Sequence, residues 1–559
     1  MPLHHEDSFN HVAKVLQIDS RDNVLIALED LHRGDIVTVA GENLALVTDV
    51  PCKHKFVTEA RAVGDPITMY GVLVGRASEW IPRGAAVSVR NLRHDSEPFT
   101  ATRHTTAWHA PAVENWKNRT FLGYHRADGQ IGTRNYWVVV PLVFCENRNI
   151  LSLQQALEEE LGYGSPQKYR NQVAQLASRY RAGHIDPASA TMQQIADAGL
   201  VRKPLLENVD GVRFLTHQGG CGGTREDSDN LCALIAGYLH HPNVAGATVL
   251  SLGCQHAQIS LLMKELQKRD PDFSKPLFLL DQQTIGTESA MMDRAIRDTF
   301  NGLIHANRCQ RAPAPLSQLT VGLKCGGSDG FSGISANPAI GYVSDLLAAL
   351  GGRSLLSEFP ELCGVEQSLI DRCATQRAAD KFVTLMHDYA ERARAVRSGF
   401  DMNPSPGNIQ DGLITDAIKS AGAARKSGTS PINDVLDYPE YAVESGLNLL
   451  CTPGNDVECV TAQVASGANV VLFTTGLGTP TGNPIAPVIK ISTNTELAKR
   501  MPDIIDIDTG SIVAGASTIE EMGNEILEQI IEIASGNRKT KAESLGQNDF
   551  IPWKRGVSL

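Results

Sequence analysis

The chain has 559 residues, more than one hydrophobic core normally holds, so we expect about two to four domains. Its 51 basic and 63 acidic residues give a formal net charge of −12 without a long basic run, which argues against a nucleic acid as partner. The eleven cysteines fit reduced thiols in the cytosol better than a disulfide framework. We see neither a signal peptide in Met1 to Asp7 nor an apolar stretch of about 18 residues. We therefore expect a cytoplasmic protein that does not bind a membrane.

Residues 1–92 consist of short strand-like runs interrupted by Gly, Asp and Pro. Strands are predicted at 24–28, 36–39, 44–47, 67–74 and 86–89. The pattern predicts a small all-β module. The polar stretch that follows, residues 93–119, contains Pro and His and has no usable periodicity. We interpret it as an extended linker.

From residue 120 onward, strand-like runs alternate with helical patterns. This alternation is typical of a parallel sheet with crossover helices. We therefore predict a middle α/β domain over residues 120–316 and a second α/β domain over residues 317–559. The predicted strands are 136–142, 212–216, 248–252, 319–323, 354–356, 447–450, 470–473 and 486–491. The predicted helices are 150–161, 227–238, 259–268, 338–350, 413–425 and 518–534.

Three cysteines, Cys221, Cys254 and Cys325, lie in glycine-containing turns that follow predicted strands, and Cys145 follows another. The carboxyl ends of parallel strands meet at one edge of a sheet, so we expect these turns to converge. Thiolates bind iron, zinc or iron–sulfur clusters, and three of them leave a position open for a substrate. The cysteines therefore predict one metal site. The alternative is that each is a small buried hydrophobic residue.

Acidic residues follow two of the same strands. Glu358 and Glu361 come after the strand at 354–356, where carboxylates can bind a divalent ion or act as a base. A solvated acidic loop is the alternative. Asp329 follows Cys325 and either supplies a further oxygen ligand or caps its own turn through a hydrogen bond.

Basic residues offer contacts for a carboxylate. Lys419 and Lys426 lie on or just after the predicted helix 413–425, where a lysine in a cleft can take a proton or bind a carboxylate; a solvated helix face is the alternative. Arg134 either clamps a carboxylate with two hydrogen bonds or forms a structural salt bridge. The loop with Thr474, Thr475 and Gly476 offers amides and hydroxyls suited to an anion.

Several sequence blocks, spread over nearly the whole chain, carry a resemblance. The blocks are Gly123 to Asn135, Lys324 to Asp329 with Ser335 to Ala339, Phe473 to Gly476, Lys53 to Phe56, and Ile551 to Lys554. They resemble the altronate and galactarate dehydratase family of sugar-acid hydro-lyases. The resemblance implies an N-terminal SAF-type β-clip module, a dimerising middle domain and a C-terminal Rossmann-variant domain.

The resemblance also implies a reaction. Family members dehydrate six-carbon sugar acids to 2-keto-3-deoxy products and depend on iron, with manganese as a substitute, and the altronate-acting members are the closer match. The chemistry needs a base for the α proton, a Lewis acid for the enediolate and an acid for the departing hydroxyl. Galactarate as substrate, a sulfo-lyase acting on a hydroxysulfonate, and a non-catalytic sugar-acid sensor are the alternatives.

From this resemblance, we expect a homodimer that binds a small sugar acid. We also expect it to bind iron, either as Fe²⁺ or as a [4Fe–4S] cluster. The expected metal ligands are Cys221, Cys254, Cys325, Cys145, Asp329 and Glu361. The expected catalytic residues are Lys419, Lys426, Glu358 as base or ligand, and His54 as a lid group. The expected substrate contacts are Arg134, Asn337, Thr474, Thr475 and Gly476.

The chain departs from the family pattern at three positions. Gln255 stands where Glu is expected, Leu477 where Arg is usual, and Asp411 where a second Gly is usual. Each is a candidate for retuning the substrate pocket. Loss of the arginine removes a partner for a second carboxylate, which argues against the diacid galactarate.

Overall fold

The computed structural model describes residues 14–39, 41–104, 107–164, 168–183 and 203–559. Residues 1–7, on which the expectation about a signal peptide rests, lie outside this part of the chain. The multidomain α/β fold class is confirmed. None of the described helices is both long and apolar enough to span a membrane.

The N-terminal part is all β, as predicted. The single strand predicted at 67–74 is wrong: a hairpin occupies this stretch, because Tyr70 and Gly71 both have positive φ angles, 57° and 73°, which suit a tight two-residue turn. The strands form sheets in the orders β1-β2-β5-β8, β3-β4 and β6-β7-β9. They are β1 (Val15–Leu16), β2 (Val24–Ala27), β3 (Ile36–Val39), β4 (Glu42–Ala45), β5 (Lys55–Val57), β6 (Pro66–Met69), β7 (Val72–Ala77), β8 (Ala86–Val87) and β9 (Leu92–Arg93).

The chain from residue 94 to 119 has no helix or strand in its described residues. It runs along the C-terminal part of the protein, where the backbone N–H of Thr100 donates to Gln367 and that of His104 donates to Asp371, both at 3.0 Å. Apart from hydrogen-bonded turns between Val113 and Arg119, this segment has no regular structure in its described residues, and these two contacts attach it to the C-terminal part.

The middle part contains a four-stranded parallel sheet in the order β13-β12-β14-β15, with helices packed on it. A small antiparallel sheet, β11-β10-β16, joins the start of this part to its end. The strands are β10 (Thr120–His125), β11 (Ile131–Gly132), β12 (Tyr136–Pro141), β13 (Gly211–Phe214), β14 (Val244–Ser251), β15 (Leu277–Asp281) and β16 (Arg311–Pro315). The helices are α1 (Asn147–Leu161), α2 (Lys168–Arg181), α3 (Arg225–His240), α4 (Ile259–Arg269), α5 (Gln282–Ile285) and α6 (Glu288–Ala306).

The C-terminal part is built on a seven-stranded parallel sheet in the order β19-β20-β18-β17-β21-β22-β23. Its strands are β17 (Thr320–Cys325), β18 (Arg353–Leu356), β19 (Ile432–Leu436), β20 (Gly446–Leu450), β21 (Val470–Thr475), β22 (Val488–Ser492) and β23 (Ile507–Asp508). Its helices are α7 (Ala336–Ala349), α8 (Glu366–Arg372), α9 (Gln376–Ala395), α10 (Pro406–Gln410), α11 (Asp416–Ala424), α12 (Asp456–Ala465), α13 (Thr495–Arg500), α14 (Gly510–Val513), α15 (Ile519–Ala534) and α16 (Lys541–Leu545). Helix α15 begins with a capping box formed by Thr518 and Glu521.

Two lysines of the N-terminal module dock it on the C-terminal part. Lys53 lies 3.0 Å from Asp329 and 3.0 Å from Asp411, and Lys55 donates to the backbone oxygen of Gly412 at 2.6 Å. Gly412 has a φ of 92°, and a Cβ there would lie 2.4 Å from the Lys53 oxygen, so only glycine fits. The module therefore packs next to the loop that precedes α11.

Candidate functional site

The carboxyl edge of the seven-stranded sheet brings together side chains from three adjacent strands. Cys325 ends β17, Glu358 follows β18, and Asp456 follows β20. Since β20, β18 and β17 are neighbours in the sheet, these residues meet at one place although they are far apart in sequence. Helix α11 covers this edge and adds Lys419, and the turn after it adds Lys426.

Glu358 lies at the centre of the buried part of this cluster. One of its oxygens pairs with Lys324, and the other lies 2.5 Å from the Lys426 Nζ. Lys426 also donates to the Cys325 sulfur at 2.9 Å. Glu358 has a φ of 69°, in the left-handed region that a glutamate rarely adopts. The two lysine contacts hold this strained residue in place, and such strain is concentrated at functional sites.

A second ion pair lies beside it, formed by Glu361 and Lys419. The Lys419 Nζ is 2.9 Å from Glu361 Oε1 and 2.6 Å from Asn403 Oδ1. The other Glu361 oxygen lies 3.4 Å from the Cys325 sulfur. Helix α11 positions Lys419 because Thr415 caps its first turn.

Burial and neighbouring charges act in opposite directions on these groups. Burial alone would lower the pKa of Lys419 and raise the pKa of Glu361, but the attraction between the two outweighs burial. The pKa of Lys419 is therefore raised and that of Glu361 lowered, so the pair is ionised at neutral pH. For Cys325, burial together with the Glu358 charge raises the thiol pKa to about 12.

A cavity of about 530 Å³ opens onto this cluster. Cys325, Glu361, Lys419 and Asp456 line it, whereas Glu358, Lys324 and Lys426 lie behind this wall and do not. Among the described residues that line it, Lys419 is the only lysine or arginine. The described lining residues thus offer one cation, two carboxylates and a thiol to a small polar molecule.

The cluster also contains a group of atoms spaced for a metal ion. One donor atom each from Cys325, Glu358 and Glu361 lie within 4.8 Å of one another. One sulfur and two carboxylate oxygens suit a transition metal such as iron. The residues therefore fit such an ion, which would have to displace Lys426 from Glu358 and Cys325.

The structure does not bring the predicted metal ligands together at one site. Cys325 is buried at the edge of the seven-stranded sheet, whereas Cys145, Cys221 and Cys254 are exposed at the edge of the four-stranded sheet. The prediction of one site is wrong, because the turns end strands of two different sheets.

Asp329 caps its own turn, which is the second of the two predicted roles. Its Oδ1 accepts from the Phe331 N–H and the Ser332 hydroxyl, and its Oδ2 pairs with Lys53. A Cβ on Gly476 would lie 2.2 Å from the Asp329 carboxyl carbon. Asp329 and Gly476 therefore hold two loops together, and neither lines the cavity.

Three other predicted substrate contacts are bonded within the protein. The Thr474 hydroxyl donates to Asn337 at 2.6 Å, and Thr475 accepts from the Gly478 N–H at 2.9 Å. All three side chains are buried, and none lines the cavity. The structure thus corrects their role: they support the wall of the cavity from behind.

Arg134 forms the structural salt bridge, the other alternative predicted for it. Its guanidinium makes two hydrogen bonds to Glu543, at 2.7 and 3.0 Å, and donates to two backbone oxygens. These hydrogen bonds occupy the guanidinium donors, and the side chain is only 4% exposed. Arg134 is therefore not placed to bind a ligand.

Replacing Arg134 by methionine is expected to lower the free energy of unfolding by about 3 to 5 kcal/mol, because it leaves the Glu543 carboxylate buried without its partner. Denaturant titration measures this loss. Arg148→Met removes an exposed pair with Glu288 and is the matched control, expected to cost less than about 1 kcal/mol. Equal losses in the two variants would contradict a structural role for Arg134.

Three further residues lie away from the cavity. His54 is half-buried, with Nδ1 3.3 Å from the Cys52 oxygen, and does not line the cavity, so the lid role predicted for it has no support in the structure. Gln255 is buried in its own loop, and Asp411 pairs with Lys53. Of the three departures from the family pattern, only Leu477 lines the cavity.

Lys324, Asn403 and Asp456 belong to the cluster but were not predicted. Lys324 lies 2.9 Å from Asp456 and pairs with Glu358. A signal existed for two of them: Lys324 directly precedes Cys325, and Asp456 follows β20 within a Pro-Gly-Asn-Asp turn. Asn403 begins the Pro- and Gly-rich stretch before α11 and gives no clear signal of its own.

Three family models match successive parts of the chain. The altronate/galactarate dehydratase SAF domain matches residues 13–95, and the second domain of D-galactarate dehydratase/altronate hydrolase matches residues 123–307. The C-terminal domain of D-galactarate/altronate dehydratase matches residues 316–558.

Curated relatives match over nearly the full length. Altronate dehydratases of Bacillus subtilis and of Escherichia coli are each 32% identical to the chain, covering 97% of it and 99% of the relative. The galactarate dehydratase (L-threo-forming) of Escherichia coli is 31% identical, covering 96% of the chain and 95% of the relative.

Proposed function

Since the chain belongs to the D-galactarate/altronate dehydratase family and is thus a hydro-lyase, a sugar-acid dehydratase, we propose that it converts altronate to its 2-keto-3-deoxy product. The observation that carries this choice of substrate is the charge of the cavity wall. Lys419 is the only lysine or arginine among the described lining residues.

One cation matches a substrate with one carboxylate. A sugar monoacid places its carboxylate against Lys419 and its hydroxyls against the polar side chains of Ser328, Asn403 and Asn408. A diacid would leave its second carboxylate without a cationic partner, because Leu477 stands in the wall where the family pattern has arginine. The cavity therefore favours altronate over galactarate.

The Glu361–Lys419 pair supplies the proton transfers. The ionised Glu361 removes the proton α to the substrate carboxylate, and the electron pair of that C–H bond passes into the enediolate, whose charge Lys419 stabilises. The bond to the β-hydroxyl then breaks as Lys419 protonates the departing oxygen, which leaves as water. The enol becomes the 2-keto acid, and Glu361 returns its proton to Lys419 across 2.9 Å.

Iron is the cofactor we propose for this site. Cys325, Glu358 and the Glu361 oxygen nearer to Cys325 would hold it, and when bound it supplies Lewis-acid stabilisation of the enediolate. Glu361 Oε1, which faces Lys419, stays available for proton transfer.

The proposal is tested by assaying protein purified anaerobically with ferrous iron on altronate, galactarate and sulfolactate. Release of a 2-keto-3-deoxy acid from altronate, with at most weak turnover of galactarate and no sulfite from sulfolactate, is the expected result. Sulfite release would identify a sulfo-lyase instead. Tight binding of altronate without product would identify a sensor.

Leu477→Arg is expected to raise kcat/KM for galactarate by about tenfold or more, since it places a guanidinium in the cavity wall for the second carboxylate. The ratio of kcat/KM for galactarate to that for altronate measures the change. Leu477→Met, which keeps the wall apolar, serves as the control and leaves this ratio unchanged. A ratio that does not move in Leu477→Arg would show that residue 477 does not set the choice of substrate.

A further inference from the structure

The exposure of the cysteines divides them into two groups. All eleven are free thiols, and eight are buried or half-buried, as is usual for this residue type. The three exposed ones are Cys145, Cys221 and Cys254. None of the three lines the cavity of the proposed active site.

These three cysteines follow three adjacent strands of the four-stranded sheet. Cys221 follows β13, Cys145 follows β12 and Cys254 follows β14, and the sheet order is β13-β12-β14-β15. The strands are parallel, so all three turns lie at the same edge.

Backbone hydrogen bonds join the three turns close to the cysteines. The N–H of Phe144, one residue before Cys145, donates to the Gly219 oxygen at 3.1 Å. The N–H of His256, two residues after Cys254, donates to the oxygen of Gly220, the residue before Cys221, at 2.9 Å. The three thiols are therefore neighbours on one small surface.

Glycines and buried side chains hold these turns in their shape. Gly220 has a φ of 98°, and a Cβ there would lie 2.1 Å from the Leu142 oxygen, so only glycine permits the approach. His217 accepts from the Gly219 N–H, and Gln255 accepts from the Gly253 N–H at 2.7 Å. His217 and Gln255 are buried and the three cysteines are exposed, which is the arrangement of a preorganised ligand set.

We propose that Cys145, Cys221 and Cys254 bind a [4Fe–4S] cluster through three thiolates, separate from the active site of the proposed function. A single iron or zinc ion holds each thiolate about 2.3 Å away, so two thiolates on one ion are at most about 4.6 Å apart. The three sulfurs form no group within 4.8 Å of one another, although all three residues are described. As they stand, the three thiols are therefore too far apart to share one ion, whereas a cluster of several irons keeps its thiolates further apart.

The three ligands leave one iron of the cluster without a cysteine. Cys221 also lines a cavity of about 570 Å³, together with His217, Asn147 and Lys554. This cavity gives a small anionic or neutral ligand access to the open iron, with Lys554 as a cation nearby.

Iron and acid-labile sulfide measured per chain test the site. The full-length protein is purified anaerobically and reconstituted with ferrous iron and sulfide. About four sulfides per chain are expected, with a cluster signal in electron paramagnetic resonance after reduction. Replacing Cys145, Cys221 or Cys254 individually by serine is expected to lower the sulfide content at least tenfold. The thermal unfolding midpoint of the cluster-free variants is expected to equal that of the cluster-free wild type, because these side chains are exposed.

Two matched variants separate this site from the rest of the chain. Cys309→Ser changes a half-buried cysteine elsewhere in the middle part, and Cys325→Ser changes the active-site thiol; both are expected to keep the full sulfide content. A wild-type protein that takes up no sulfide, or serine variants that keep all of it, would overturn the proposal. Since sulfide is counted rather than turnover, a cluster found without dehydratase activity would refute only the proposed function.

Discussion

Lys419→Met is expected to lower kcat/KM for altronate by about a thousandfold. The substitution removes the only lysine or arginine among the described residues of the cavity wall, and in the proposed mechanism this lysine both holds the substrate carboxylate and donates a proton to the leaving hydroxyl. Methionine keeps the length and apolar stem of lysine, so the fold is expected to persist. The loss is measured by steady-state kinetics on the iron-loaded enzyme.

Two companion variants define what Lys419 does. Lys419→Arg keeps the charge but is a poor proton donor, so KM is expected to stay near the wild-type value while kcat falls. Lys499→Met removes an exposed lysine and serves as the control, with unchanged kinetics. If Lys419→Met kept more than a tenth of the activity, Lys419 would have no catalytic role.

The same ion pair determines the expected pH dependence. In the proposed mechanism, activity needs Glu361 ionised and Lys419 protonated. The pKa of Glu361 lies below its ordinary 4.5 and that of Lys419 above its ordinary 10.5, so kcat/KM is expected to be constant between these values. A change in kcat/KM near pH 7 would contradict the assignment of the proton transfers to Glu361 and Lys419. It would point instead to Glu366, because burial raises the pKa of that carboxyl to about 7.

Glu358→Gln is expected to lower the free energy of unfolding by about 4 kcal/mol or more. The carboxylate is fully buried and pairs with both Lys324 and Lys426, so its loss leaves two buried ammonium groups without their main partner. Activity is expected to fall as well, because Glu358 is one of the three proposed iron ligands. Denaturant titration and kinetics measure the two effects.

The pH dependence of stability shows whether the lost stability comes from the two lysines left without Glu358 or from a packing defect. In the wild type, Glu358 helps to raise the pKa values of both lysines, so their stabilisation is present below pH 10.5 and is lost only at higher pH. In the variant, burial is opposed only by the remaining partners, chiefly Asp456 at Lys324 and Cys325 at Lys426, so both pKa values are expected to fall, and to lie below 10.5 where burial outweighs these partners. The unfolded state then binds more protons, and stability rises with pH toward 10.5. Glu288→Gln, which changes a surface carboxylate, is the control. If the free energy of unfolding lost in Glu358→Gln did not depend on pH, the loss would come from a packing defect instead.

Local patterns in the sequence were enough to find many elements of the fold and several residues of the candidate site. Cys325, Glu361 and Lys419 line the cavity, and each was picked out because it follows a predicted strand or lies on a predicted helix. These predictions succeed because strand and helix periodicity, and the glycines in turns, are properties of short stretches of chain. The hairpin at Tyr70 and Gly71 was missed because the flanking apolar runs look continuous.

Partners that are distant in sequence could not be predicted in the same way. Arg134 pairs with Glu543, 409 residues away, and nothing near Arg134 shows that its donors are already used.

The sequence by itself determined which turns carry cysteines, carboxylates and lysines, because each turn is set by the residues within it. Only the tertiary structure decided which turns share a sheet edge. The strand orders β13-β12-β14 and β20-β18-β17 separate Cys221 and Cys254 from Cys325. Strand order depends on packing between distant segments, and no local pattern encodes it.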